Sequence, residues 1–251
     1  MTKNFYDRVA KKFGAYGRHV EYTTDSNEVN GEEVFKEKLL EYSGKDKVAL
    51  DIGCADGKFT LAASVIFKNI IGIDISKEML KSAKNLKNKS KIKNVSFKYM
   101  SVRRLMFKEE SFDVVYNRRG PQDFKQFYRV LKPRGYYLEI RIGEKDTKTL
   151  KQTFGRGQNY GMWNEPVLAK DKEGLKDAGF KVLFAKEYFF NEYYQTEQEF
   201  DLFLQGVPIF EDYDSRKDKV KLLSYVKNNR TSKGIRLERH RVITVSQRKN
   251  D

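Results

Sequence analysis

Val48-Ala49-Leu50-Asp51-Ile52-Gly53-Cys54-Ala55-Asp56-Gly57 is the stretch on which the fold turns. Its first five residues are a short apolar run of the kind that fills a strand buried on both faces. A carboxylate and a glycine close the run, and residues 59–67 after it read as a helix. Strand, tight loop and helix together are the repeating unit of parallel sheets. Glycine at position 53 lets the backbone turn sharply and approach a ligand where a Cβ would collide. Ligands of open α/β sheets bind beyond the carboxyl ends of the strands, which is where this loop belongs.

Outward from the loop the alternation continues. Residues 70–74 form a second apolar run, and Ser76 can cap a helix over 77–88 that carries Met79, Leu80 and Ala83 on one face. Residues 95–100 and 112–116 read as strands, 124–131 as a helix and 136–142 as a fifth strand. This spacing calls for a parallel sheet with right-handed crossovers. Upstream, 4–17 and 31–42 read as helices around a polar stretch at 23–27. Past residue 145 the pattern loosens. Residues 147–170 read as a loop with at most a short helix, and 171–178 as a helix ended by Gly179. A sixth strand is expected over 180–190 and a last one over 239–245, separated by a mostly helical stretch, 195–230, broken at Gly206 and Pro208.

The loop also selects its ligand. Asp74 ends the second run, 23 residues after Asp51, where a carboxylate can accept hydrogen bonds from ribose hydroxyls. A nicotinamide dinucleotide shares that need, but its pyrophosphate requires G-x-G-x-x-G, and here the three positions are Gly53, Ala55 and Lys58. Asp51 and Asp56 put acidic groups where phosphates would sit. A nucleoside cofactor with a cationic amino-acid tail fits better.

Residues 48–57 resemble the first motif of class I S-adenosylmethionine (SAM)-dependent methyltransferases. Residues 72–74 are similar to the second motif, Ser111-Phe112-Asp113-Val114-Val115 to the fourth, and residues 129–135 to the turn that follows. Phe5-Tyr6-Asp7-Arg8-Val9-Ala10 resembles the lead-in of many such enzymes, and the likeness runs in order over about residues 5–143. Residues 116–120, 141–143 and 237–243 are similar to a bacterial subgroup whose substrates are poorly defined. The resemblance implies a Rossmann-like α/β three-layer sandwich with a mostly parallel seven-stranded sheet, its last strand antiparallel, under a helical and aromatic cap. It implies SAM as the cofactor. Asp51 and Gly53 would face the methionine end, Asp74 the ribose, and Ile75 the adenine. Ser101 and Val102 would lie beside the adenine, although the family more often has an acidic residue at the first of these. Asn117 would line the methionine end, and Cys54, Gly57 and Met79 complete the expected cofactor set. Arg134 stands where the family has a second glycine, in a surface turn.

Without a repeat, low-complexity tract or linker, residues 1–251 are expected to form one SAM-dependent methyltransferase domain. Its core would be about 31–145 and 171–190 plus 236–247, and its cap 1–30, 146–170 and 191–235.

Methyl transfer is a displacement at a sulfonium, so the protein mainly supplies orientation and desolvation. A base is needed only if the nucleophile must lose a proton. His19, in the segment that often covers the cofactor, and Arg118, after the fourth strand, are the candidate catalytic residues; His240 reads as structural. Arg118 and Arg119 would either hold an anionic acceptor or pair with an acid of the cap. Tyr16, Tyr22, Phe154, Tyr160, Trp163, Tyr193, Tyr194 and Phe203 would form a lid over an organic acceptor, or simply pack the cap.

Fifty Lys and Arg residues against 35 Asp and Glu give a net charge of +15. Lysines at 77, 81, 84, 87, 89, 91, 93, 98 and 108, with Arg103 and Arg104, concentrate part of it. No RNA-binding motif accompanies the charge, so a solvated lysine-rich face is the plainer reading. The expected function is transfer of the SAM methyl group to a small molecule. The alternatives are an rRNA or tRNA methyltransferase and a non-catalytic SAM-binding protein. No His/Cys cluster with metal-ligand spacing occurs, so no metal is expected. Cys54 is the single cysteine, which precludes an internal disulfide. The sequence has neither a secretory signal nor an apolar span, so the expected location is the cytoplasm, without a membrane partner.

Overall fold

In the computed structural model, which describes residues 3–14 and 20–250, the run 48–52 lies inside β2 (Gly44–Ile52), near the middle of the sheet. Preceding it are α1 (Lys3–Phe13), the two-residue β1 (Thr23–Thr24) and α2 (Gly31–Tyr42). Asn30 starts α2 by accepting the Glu32 N–H. Following β2 are α3 (Lys58–Ala63), β3 (Phe67–Asp74), α4 (Lys77–Lys89), β4 (Val95–Tyr99), β5 (Phe112–Arg118), α5 (Phe124–Val130) and β6 (Leu131–Ile142). Ser76 caps α4 by accepting the Met79 N–H at 3.1 Å. The late part holds α6 (Lys148–Phe154), α7 (Val167–Asp177), β7 (Phe180–Tyr194), α8 (Glu197–Gly206), α9 (Lys219–Asn229), β8 (Arg230–Thr231) and β9 (Gly234–Arg248).

The strands run β1-β7-β9-β6-β5-β2-β3-β4, with β8 paired to β9. β2 through β6 are mutually parallel, and β9 inserts antiparallel between β6 and β7. Removing the two-residue β1 and β8 leaves the expected seven strands, with the last one reversed. α2, α3 and α4 contribute to the core on one face, which centres on Ala49, Val114, Tyr116, Leu138 and Ile243. α5 and α7 contribute to the core on the other, around Leu50, Ile52, Val115, Phe127 and Leu175. A third core, including Leu150, Phe154, Tyr194, Phe200, Phe203, Tyr225 and Leu237, builds the cap from α6, α8, α9 and the near ends of β7 and β9.

Several boundaries differ from expectation. The helix expected over 59–67 ends at Ala63 in a 3-10 turn, because β3 already begins at Phe67. α7 starts at Val167, directly after Pro166, and Gly179 takes a positive φ of 96° beyond its end. β7 and β9 are each 15 residues long and pair almost throughout. The expected strands cover only part of each: β7 runs on through Glu192 to Tyr194, and β9 starts at Gly234, where Arg236 and Glu238 alternate with Ile235 and Leu237. No helix among the described residues is long and apolar enough to cross a membrane.

Candidate active site

Asp51 and Asp74 end neighbouring parallel strands, and the loop after β2 lies between them. Asp51 is 3% exposed and accepts a 2.6 Å hydrogen bond from Thr60 of α3. Burial pushes its carboxyl up to about 7, against the Thr60 hydrogen bond and the nearby charge of Arg118. Gly53 turns with φ 67°, and a Cβ there would stand 3.5 Å from the Gly120 Cα. The Cys54 N–H donates to the Ile73 carbonyl, and the Ala55 N–H donates to Asp74 Oδ2 at 3.0 Å. The other Asp74 oxygen accepts the Ser76 N–H at 2.8 Å. Burial raises the Asp74 pKa, while these backbone donors oppose the rise. The loop is therefore fastened to β3 through the second carboxylate.

Above the loop opens a cavity of about 360 Å³. Its floor is Asp51, Gly53, Cys54, Ala55 and Asp56; its roof is Tyr22, Phe203, Val207, Pro208 and Ile209 from the cap. Glu32, Arg118, Arg119, Asp146 and Arg239 form a charged side wall. These groups belong to one ionic network. Glu32 receives Arg118 at 3.3 Å, Arg119 at 2.8 Å and Arg241 at 3.1 Å. Arg241 also reaches Asp146 at 2.6 Å, and Arg239 lies 3.5 Å from both Asp146 and Glu192. The Arg118 guanidinium stacks 3.9 Å above the Phe59 ring. A floor with a carboxylate whose pKa is raised by burial fits a ligand with a cationic end.

The expected site residues divide. Asp51, Gly53, Cys54 and Arg118 line the cavity; Asp74, Ile75, Ser101 and Val102 lie along the tips of β3 and β4 and are not among its walls. Ile75 is exposed, Ser101 spends its hydroxyl on the Arg103 N–H, and Val102 packs in the sheet core. Three more of them are held by packing or by hydrogen bonds of their own. Gly57 serves helix packing, since a Cβ there would meet Phe97 at 2.5 Å and Ala83 at 2.9 Å. Met79 is buried under α1 with Phe5, Val9 and Ala10. Asn117 is fully buried, with its amide bonded to Gly120, Pro121 and Glu139, so it shapes the 118–122 loop from behind.

His19 and Tyr16 lie outside the described residues. Arg118 and Arg119 pair with Glu32, an acid of α2 rather than of the cap. His240 is away from the cavity, stacked on Phe189 at 4.1 Å. Its ligand atom and those of Glu144 and Glu187 lie within 4.8 Å of one another, a cluster that linear spacing does not show. The Lys145 N–H donates to its Nδ1 at 3.2 Å, and Glu187 lies 3.2 Å from its Nε2. Among the expected lid aromatics, Tyr22 and Phe203 face the cavity, whereas Phe154, Tyr194 and their neighbours fill the cap core.

Sequence reasoning missed Glu32, Asp146 and Arg239. The available signal was the alternation Ile235, Leu237, Arg239, Arg241, Ile243, Val245 in the last strand. Period-two spacing puts all six on one face of β9, with the two arginines between apolar pairs.

A family model described as a methyltransferase domain matches residues 43–163. A demethylmenaquinone methyltransferase of Lactococcus lactis is 31% identical over 168 residues, 61% of this chain and 66% of that protein. The uncharacterized methyltransferase YcgJ of Bacillus subtilis is 32% identical over 98 residues, 36% of this chain and 39% of that one. These matches thus span less than two thirds of either relative's length. The crystal structure of YcgJ superposes with a TM-score of 0.62 at 16% identity, covering 88% of this chain and 100% of that one. With the sheet order, the first-motif loop and the family match falling on the same residues, the chain carries a methyltransferase domain on the class I, Rossmann-like S-adenosylmethionine-binding fold.

Proposed function

We propose that the protein transfers the methyl group of SAM to a small-molecule acceptor. The observation that carries this reading is the continuity of the cavity, which joins the first-motif loop to a roofed, largely apolar cap. When bound, SAM supplies an electrophilic methyl group on a sulfonium, so the chain's own residues need only bind, orient and exclude water. Asp51 would hold the methionine ammonium, and the Gly53 turn would let the main chain lie against the same end. Asp74 has acceptor capacity left beside its two backbone donors and would take the ribose hydroxyls. Phe203 and residues 207–209 would shield the reacting end from water.

The basic stretch from Lys77 onward lies on α4 and β4, and β4 is the strand at the opposite edge of the sheet from the β7 side. That separation weighs against an RNA acceptor. Incubation with methyl-labelled SAM and either a metabolite extract or total RNA tests the choice. Label in the metabolite fraction is expected; label confined to RNA would refute the small-molecule reading. Replacing Asp74 by Ala should weaken SAM binding by about 1–3 kcal/mol, the scale of lost charge-assisted hydrogen bonds. Unchanged affinity by calorimetry, in a variant that still folds, would remove Asp74 from the site.

A further inference from the structure

The buried carboxylate in the cavity floor has a hydroxyl behind it. Thr60 stands in the first turn of α3 and is fully buried. Asp51 lines the cavity; Thr60 does not. The Thr60 hydroxyl donates to Asp51 Oδ2 at 2.6 Å. That is the length of a charge-assisted bond from a hydroxyl to an ionised carboxylate, about twice as strong as a neutral one. Thr60 is β-branched and wholly enclosed, so its χ1 is restricted and the donor is held in place.

The other groups around Asp51 act more weakly or in the opposite sense. Arg118 of β5 favours the ionised form, but it is shared with Glu32 at 3.3 Å and stacked on Phe59. Tyr116, in register with Asp51 on β5, also favours that form, less than Thr60 does. Asp74 at the tip of β3 repels the charge, and burial pushes the Cys54 thiol of the loop toward its neutral form. Burial favours the neutral acid of Asp51 most of all, and Thr60 leads the groups that oppose it. A neutral acid gives an ammonium no counter-charge, so the hydroxyl matters most to a ligand with a cationic end.

We propose that Thr60 is a positioning residue for the cofactor: its hydroxyl aims the Asp51 carboxylate and holds it in the charged form that the methionine ammonium needs. The cofactor half of this statement rests on the methyl-transfer reading above; the coupling of Thr60 to Asp51 does not.

Thr60→Val replaces the hydroxyl by a methyl of the same shape, and Thr60→Ser keeps a hydroxyl. Two measurements are made on the full chain of each: the carboxyl-carbon NMR titration of Asp51 without ligand, and S-adenosylhomocysteine affinity by calorimetry from pH 6 to pH 9. The Asp51 midpoint should rise by about one pH unit in Thr60→Val, the scale of a lost hydrogen bond to a charged group. The ratio of wild-type to Thr60→Val affinity cancels the ligand's own ionisation. It should be about ten-fold at pH 6 and approach one at pH 9. Thr60→Ser should follow the wild type in both measurements. An unmoved midpoint, a pH-independent affinity ratio, or a Thr60→Ser profile like that of Thr60→Val overturns the proposal; a merely structural role would give the second. Should Thr60→Val not fold, the wild-type chain decides alone. Its Thr60 hydroxyl proton must be protected from exchange and shift with the Asp51 titration, and a freely exchanging hydroxyl overturns the proposal. A shifted midpoint without any S-adenosylhomocysteine binding by the wild type would uphold the coupling and strike the methyl-transfer reading instead.

Discussion

At the scale of the residue, Asp51 has the most measurable chemistry. Its carboxyl titrates near 7 in the folded chain against an ordinary value of 3.8, with burial as the main cause. The native state therefore holds more protons than the unfolded chain between about pH 4 and 7, and the contribution of Asp51 to stability falls as pH rises through that window. Asp51→Asn keeps a group able to accept from Thr60 and removes this slope. Denaturant melts should show the variant gaining on the wild type from pH 5 to pH 8; parallel curves would contradict the titration. An ammonium arriving beside Asp51 favours its ionised form, so SAM binding near pH 6.5 should release protons. Calorimetry in buffers of unlike ionisation enthalpy reads that release, and proton uptake would place the ammonium elsewhere. Asp51, Gly53 and Asp74 could be read from sequence because strand-tip positions follow from the apolar runs. The surroundings of Met79 and Asn117 could not, since they depend on where α1 and the 118–122 loop come to rest.

At the scale of the element, the network around Glu32 ties α2 to the end of β5 and the middle of β9. Glu32→Gln would leave Arg118, Arg119 and Arg241 around a neutral amide. Loss of one partner from a buried ionic cluster costs about 3–5 kcal/mol, so the variant should unfold at markedly lower urea concentration. A change of less than about 1 kcal/mol, the range of surface pairs, would mean that the cluster is effectively solvated. The strands and helices of the parallel half follow their apolar periodicity closely. The late half follows it less closely, because β7 runs on through Asn191 and Glu192 and β9 has Arg236 and Glu238 among its first residues, and a pattern reading takes a charged residue as a sign of exposure. Arg239 and Arg241 could be placed by their alternation with apolar residues, whereas Glu192 is legible as a buried residue only once its partners from distant parts of the chain are in place.

At the scale of the molecule, the charge of +15 is a property of the surface more than of the site. Binding to RNA driven by lysine alone is counterion release, and it collapses as salt rises. Retention on an RNA column at about 50 mM salt should vanish by about 200 mM, with no preference among sequences. Retention that survives, or that S-adenosylhomocysteine alters, would point to a specific RNA surface instead. The long β7–β9 ribbon has a further mechanical consequence. One continuous pair of strands forms both the sheet edge and the base of the roofed compartment, so the two halves cannot swing apart on a hinge without tearing a ladder of main-chain bonds. Local give in the 207–218 connection between α8 and α9, whose residues 207–209 roof the cavity, is then an expected route for ligands, and stiffening that connection should slow exchange while leaving the fold intact.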